Sequence, residues 1–387
     1  MNGARGTARG LALQSALAVI LVSTWASVPA GAQTSASLHV VGVDPDPAGP
    51  AVRTAFFHAR FDEGGGWGEW EWAAEGAVWL DGGQLDASVL APVELSLGRR
   101  WDWGSVKAGV GPVLWGVSDR RSPAAMSAPV GLLWSSVSAP AIGNPFVEFA
   151  TRVGGADVEA VLLPLRPPTQ SGRLADVTWD GRRLDAPEAW ETEAGYGIRI
   201  WRSFDAFDLG VWWMDAQDRR PWIDPAPRQS PGEGSEARVR HPRTRQLGGT
   251  VEWVLGPTVV RGEGGLARRD DAWHSRGLLG VEWFITPYLT LLLEQGLASD
   301  RNESASPLVD DSLLGVQLVT ETTRFQGGFA VDPGSGTRHL WSTVRWTATD
   351  RVSVELEWTE AWGDILDESS SALRQPRALR LGGVWYF

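Results

Sequence analysis

From about Leu247 onward the chain falls into segments of roughly ten residues in which apolar and polar positions alternate, the period of a β-strand with two unlike faces. In 351–361, Val352, Val354, Leu356 and Trp358 share one face, and Ser353, Glu355, Glu357 and Thr359 share the other. Val251, Trp253 and Leu255 likewise oppose Thr250 and Glu252, and Leu279, Val281, Trp283 and Ile285 oppose Glu282. Glutamates recurring on one face require water there, because an unpaired carboxylate in a dry core is very costly.

The connections between these segments sort into two kinds. Very short ones fall at 255–258, 285–288, 320–323 and 349–351, and long polar ones at 215–244, 298–310 and 361–376. Short periplasmic turns alternating with longer external loops are the pattern of outer-membrane barrels, and a soluble sandwich does not segregate its connections so regularly. Carried back toward Ser37, the alternation predicts an all-β transmembrane antiparallel barrel of about 18 strands, with 16 the next choice. The stretches 116–145 and 166–193 are too long and too rich in Pro and Gly for plain hairpin loops. The segment 215–244 is expected to be a long extracellular loop.

Composition adds two things. The chain has 23 Trp against 3 Tyr, and no Cys. Trp suits the membrane–water interface, where a ring is apolar on one side and hydrogen-bonded on the other. Trp253, Trp283, Trp346 and Trp385 fall on outward faces a few residues before a short turn or the chain end, predicting one girdle. Trp213 and Trp358 predict the other. The absence of Cys excludes disulfides, thiol chemistry and a lipidated N-terminal Cys.

Residues 1–32 have the form of an export signal. Arg5 and Arg9 precede an apolar core over 11–25, and Ala30-Gly31-Ala32 fits a cleavage site before Gln33. The barrel is then expected over 33–387. Cleavage leaves 33 basic residues against 47 acidic, a net charge of −14, which argues against nucleic acid as a partner. No later stretch offers about 18 consecutive apolar residues, so no spanning helix is expected.

The last nine residues carry the most specific motif. Leu379, Leu381, Gly383, Trp385 and Phe387 alternate on one face. This resembles the terminal signal read by the outer-membrane assembly machinery, with Leu381, Trp385 and Phe387 as its apolar positions. It implies residence in the outer membrane of a Gram-negative-type bacterium, with the bilayer, lipopolysaccharide and that machinery as partners.

The run Lys107-Ala108-Gly109-Val110-Gly111-Pro112-Val113-Leu114-Trp115-Gly116-Val117-Ser118-Asp119, followed by Asn144-Pro145, resembles the strand-to-loop passage of large specific outer-membrane channels of the alginate-export type. The resemblance extends thinly over most of the mature chain and fixes no substrate. It implies that 116–145 is a constriction loop folded within a pore, with Trp115, Asp119, Arg120 and Arg121 at its entry. Spacing alone gives only a long loop.

Parity assigns charged residues to the inner face: Lys107, Arg199, Glu252, Arg261, Glu263, Glu282, Glu294, Arg345, Glu355 and Glu357. Glu69, Glu71, Glu75, Glu94, Glu148, Arg60, Arg152 and Arg380 fall there too. Glu252, Arg261 and Glu282 count to the same height above their turns. They read as a charged belt lining a pore or as a cross-strand ladder that pins register, and both roles can hold. The arginines of 215–244 read as anion capture at the mouth or, preferably, as contacts to surface phosphates.

No catalytic residue, metal ligand or cofactor site is expected. The five His are scattered, and the acidic loop 300–311 matches no calcium-ligand spacing. A barrel this wide usually leaves an aqueous channel. The expected function is therefore passive diffusion of small solutes. The alternatives are a hydrolase at the rim, built around His274 with Asp270, Asp271 and His339, and an export outlet for a periplasmic assembly. Deleting Phe387 is expected to impair membrane insertion far more than removing 1–32 from the mature form. Outer-membrane yield and heat-modifiability on gels measure both, and normal yield of the truncated chain would overturn the terminal-signal reading.

Overall fold

The computed structural model describes residues 35–44, 56–67, 69–81, 89–111, 113, 115, 143–164, 178–179, 182–185, 193–217, 222–224, 237–240, 242–269, 271–299, 311–333, 336, 338–362 and 377–386. The first strands are β1 (Ser35–Asp44), β2 (Phe56–Trp67), β3 (Trp70–Asp81), β4 (Val89–Trp101), β5 (Gly104–Gly111), β6 (Asn144–Val153) and β7 (Ala156–Leu163). Two short strands follow, β8 (Thr178–Trp179) and β9 (Arg182–Asp185), then β10 (Gly195–Ser203) and β11 (Phe207–Gln217). Two more short strands, β12 (Trp222–Asp224) and β13 (Ala237–Arg240), precede β14 (Arg243–Leu255), β15 (Thr258–Arg269), β16 (Ala272–Thr286) and β17 (Leu289–Ala298). The chain ends with β18 (Ser312–Val319), β19 (Thr323–Val331), β20 (Arg338–Thr349), β21 (Val352–Trp362) and β22 (Arg377–Tyr386).

Among the described residues, 18 of these strands form one sheet in which each pairs antiparallel with its neighbours in the chain. The ring closes through β1 and β22, in register from Ser35↔Tyr386 to Asp44↔Arg377. A closed ring has no edge strand, so every strand's backbone donors and acceptors have partners on both sides.

The side-chain alternation has the sense the sequence predicts. Leu247, Val251 and Trp253 of β14 are exposed on the outside, as are Leu279 and Trp283 of β16 and Val354, Leu356 and Trp358 of β21. Between them, Gln246, Glu263, Leu278, Glu355 and Glu357 are buried toward the interior. An exposed apolar surface running over the described outer faces from β4 to β22 is far beyond what a water-soluble monomer shows and suits a lipid solvent.

Short turns follow β2, β4, β6, β10, β14, β16, β18 and β20, all at one end of the barrel. In the turn after β6, Gly154 and Gly155 have φ of 59° and 82°. Two successive positive values make the tight turn whose twist matches the flanking strands, and only glycine takes both without steric cost. The other end carries the long connections, except that β15 and β16 are joined by residues 270–271 alone.

Two boundaries differ from expectation. The segment 215–244 is not one irregular loop: 215–217 extend β11, and 243–244 begin β14. Within it, β12 pairs with β13, and β13 runs parallel to β9 in the connection that follows β7. With β8 these make a separate four-stranded sheet, so the connections after β7 and after β11 are tied to each other by backbone hydrogen bonds. Likewise Asn144 and Pro145 belong to β6 rather than to the loop before it. The remainder of 116–145, apart from Gly143, and all of 1–32 lie outside the described residues.

Candidate functional site: the inner wall and an inserted segment

The inner wall is charged, and several of its bases are held by acids on neighbouring strands. Lys107 of β5 contacts Glu94 of β4 at 2.7 Å. Arg261 of β15 reaches Glu252 of β14 at 2.7 Å and Glu282 of β16 at 2.8 Å. Arg345 of β20 donates to Glu355 of β21 at 2.9 and 2.6 Å. The three residues Glu252, Arg261 and Glu282 therefore do lie at one height, as turn counting predicts. Register explains it: Glu252 stands opposite Arg261, and Glu282 lies two residues from the partner of Arg261 on β16, Gly280.

Glu263 and Glu357 are buried on the same face, and Glu294 lines a cavity in it. Glu148 stands opposite Lys107. One parity assignment fails. Glu69 sits in the two-residue turn between β2 and β3, and its carboxylate binds Arg99 at 2.8 Å, on the outward face shared with Leu95 and Leu97. Alternation does not propagate through a turn. The side chains of Arg60, Glu75 and Arg380 lie outside the described residues.

The second feature is the chain beyond β5. Val113 and Trp115 turn into the barrel, where they form a buried cluster with Phe146, Val161, Leu163, Trp212, Met214 and Ala216. These partners all sit on inner faces of β6, β7 and β11, since their strand neighbours Val147, Leu162 and Val211 are exposed outside. The Trp115 indole N–H donates to Glu159 at 2.6 Å, and Arg199 holds the other oxygen of Glu159 at 2.9 Å. Arg199 also donates to the Trp115 carbonyl at 3.5 Å. A segment of the β5–β6 connection is thus anchored inside the barrel by apolar burial plus a charge-assisted triad. Asp119, Arg120 and Arg121 lie outside the described residues.

Glycines make room for this anchoring. A Cβ on Gly197 of β10 would stand 2.6 Å from the Trp115 ring, and one on Gly248 of β14 would meet the Trp212 ring at 2.3 Å. A Cβ on Gly328 of β19 would meet Trp341 at 2.2 Å. Each large ring lies flat along the wall over a position without a side chain. The tryptophans therefore divide. Trp253, Trp283 and Trp346 are 48%, 49% and 52% exposed on the outside, as a girdle requires, whereas Trp115, Trp212 and Trp341 are 2%, 3% and 4% exposed within. Trp213 faces outward beside Tyr196, with ring centroids 5.4 Å apart.

Sequence reasoning placed Trp115 at the entry of an inward loop but missed Glu159, Arg324 and the inward Trp212 and Trp341. For Glu159 a signal existed, since Asp157 and Glu159 alternate with Val158 and Ala160. For the tryptophans none did, because the glycine that accommodates each ring stands on a different strand.

Leu379 and Leu381 are exposed on the outside of β22. Trp385 pairs through its backbone with Ala36 and Val352; its side chain and Phe387 lie outside the described residues. At the long-loop end, Arg243 and Arg245 bracket the buried Asp215 at 2.6 and 3.0 Å. Asp271 binds Arg268 at 2.8 Å, while a ring nitrogen of His274 lies 3.2 Å from Arg269. Among the described residues no group of three or more His, Asp or Glu is placed to hold a metal ion.

No protein-family model and no curated protein matches the chain. Solved structures do. OccAB3 of Acinetobacter baumannii has a TM-score of 0.52 at 11% identity, over 93% of this chain and 100% of that one. OmpF of Salmonella typhi, in complex with daunomycin, scores 0.48 at 10% identity over 92% and 97%. A porin of Rh. blastica scores 0.42 at 9% over 92% and 99%. The likeness is one of fold, and it rests on the first of these. The chain is an all-β, transmembrane antiparallel barrel of the fold that OccAB3 has.

Replacing Glu159 with Ala is expected to leave the Trp115 N–H and the Arg199 guanidinium without their shared acceptor. The cost is about 2 kcal/mol. A lowered urea midpoint of the folded barrel, with faster hydrogen exchange around residues 113–115, is the measurement. Unchanged exchange there would show that apolar burial alone holds the segment.

Proposed function

We propose that this protein is an outer-membrane channel through which small solutes diffuse passively, narrowed by the loop that begins at Trp115. The observation that carries the reading is the inner wall itself. Its paired charges are hydrated groups on the concave side of a closed ring whose outer side is apolar. Rings of charged side chains in a wide barrel tune what passes, and no cofactor or catalytic group is needed. In this reading 1–32 is the export signal, the short turns are periplasmic and the long connections face outward. The resemblance to channels of the alginate-export type stays a resemblance, and it supports the inward course of 116–145.

The second support is charge. Lys107, Arg199, Arg261 and Arg345 are each offset by at least one acid, and Glu148, Glu263 and Glu357 add negative charge beyond those pairs. Arg269, Arg276 and Arg324 share the inner face and reduce the surplus, while Asp311 and Asp332 restore it. A modestly negative lumen concentrates cations, and salt screens the effect over about 10 Å at 0.1 M.

A weak cation preference that fades with rising salt is therefore expected in reversal potentials across planar bilayers. Glu252→Gln and Glu282→Gln each leave Arg261 less compensated and shift the potential toward anions. A clear anion preference of the unmodified protein would overturn the charge assignment. In the same bilayers, excising residues 118–143 and joining the ends with a short flexible linker is expected to raise single-channel conductance. An unchanged conductance in a folded barrel would place that loop outside the pore.

A further inference from the structure

The inner wall from β15 to β20 lines a cavity of about 320 Å³. That is the small end of the size range of ligand sites, which starts at roughly 300 Å³. Register shows how it is built. Leu292, Gly315, Gly328 and Trp341 stand opposite one another in a row across β17, β18, β19 and β20. The two glycines hollow the wall, Leu292 lies against Gly315 and the Trp341 ring lies over Gly328. With Leu313 and Ala330, Trp341 forms a buried apolar cluster against which Leu292 packs.

One step toward the short turns, the next inward row is Thr290, Gln317, Gln326 and Thr343. It is polar and uncharged throughout. Gln317 Oε1 accepts from Gln326 Nε2 at 2.5 Å and from Arg324 at 3.0 Å. The Gln317 oxygen is the acceptor in both bonds; the Gln317 NH₂ group is a donor and the Gln326 carbonyl oxygen an acceptor. The charged groups lining the cavity balance, with Arg261 and Arg324 against Glu282 and Glu294. Arg261 is spanned by Glu252 and Glu282.

An apolar row beside a neutral hydrogen-bonding row suits a ligand with a C–H face and a hydroxyl edge. Hydroxyls each donate and accept, matching the amide groups of Gln317 and Gln326, which both line the cavity. Because Arg261 and Arg324 balance Glu282 and Glu294, the cavity offers no net attraction to either sign, and a charged ligand gains nothing there to offset its desolvation. We propose that this cavity is a binding site for a neutral, polyhydroxylated solute of one or two sugar rings, recognised by Gln317 and Gln326 over the Leu292–Trp341 row. The proposal rests on the channel reading for its biological sense, but its test does not.

The full folded barrel in detergent micelles is titrated with glucose and maltose, and with gluconate and glucosammonium as charged counterparts of similar size. Saturation-transfer NMR reads binding, and planar bilayers made from the same preparation read conductance. Saturable binding of the neutral sugars, at least fivefold tighter than of either charged analogue, is expected. Gln317→Leu and Gly315→Ala are each expected to weaken it at least fivefold. A Cβ at Gly315 stands 3.4–3.7 Å from its neighbours, so the alanine enters without displacing backbone and reads the site even where Gln317→Leu fails to fold. Absent or equal binding of all four probes, or affinity unchanged in both variants, would overturn the site. Sugar binding in a barrel that does not conduct would uphold the site and sink the channel reading; conduction without sugar binding would do the reverse.

Discussion

The pairing of β1 with β22 is the interaction on which the remaining structure depends. In hydrocarbon, an unpaired backbone N–H or C=O costs several kcal/mol, so a sheet survives there only without an edge. Ten residue pairs, from Ser35↔Tyr386 to Asp44↔Arg377, remove that edge. Once the ring is closed, every strand has one face toward lipid and one toward the lumen. Every inward residue then becomes a wall residue, and chemistry on the inside is decided by which strands stand next to each other.

This explains why the same residue type does opposite work at different positions. Trp253, Trp283 and Trp346 stay exposed near the short-turn end, where an indole gains from an interface with an apolar side and a wet side. Trp115, Trp212 and Trp341 instead fill the interior, each lying over a glycine of a neighbouring strand. Charge divides in the same way. Arg261 and Arg345 are drawn into ladders with acids on the inner wall, whereas Arg99 turns outward to Glu69 and stacks between Trp70 and Trp101. Each ladder pair is worth a fraction of a kcal/mol. Their larger effect is on register, because a one-residue slip carries the carboxylates into lipid.

The long-loop end follows a different logic. Outside a membrane, a connection can satisfy its backbone groups with water or with another connection. The segments after β7 and after β11 use the second option, joining through β9 and β13. The segment after β5 uses a third, entering the barrel and trading water for burial against β6, β7 and β11. The cluster around Trp115 is apolar, but Glu159 and Arg199 at its margin let the indole N–H and a main-chain carbonyl be buried without loss.

The sequence by itself determined the class of fold and the inside-or-outside fate of the strands after Leu247, and it left the strand count between 18 and 16. These are local properties: a period of two, a turn of two or three residues, a Trp at a fixed distance from the turn. Glu252, Arg261 and Glu282 were legible as neighbours for the same reason, since height can be counted from a turn. What only the tertiary structure decided were relations between strands and loops far apart in sequence. That Gly197 receives Trp115, that β9 pairs with β13, and that Gln317 stands beside Gln326 above an apolar row all depend on pairings and side-chain directions with no local signature. Glu69 marks the boundary between the two kinds of knowledge, because alternation is a property of extended backbone and ends where the chain turns.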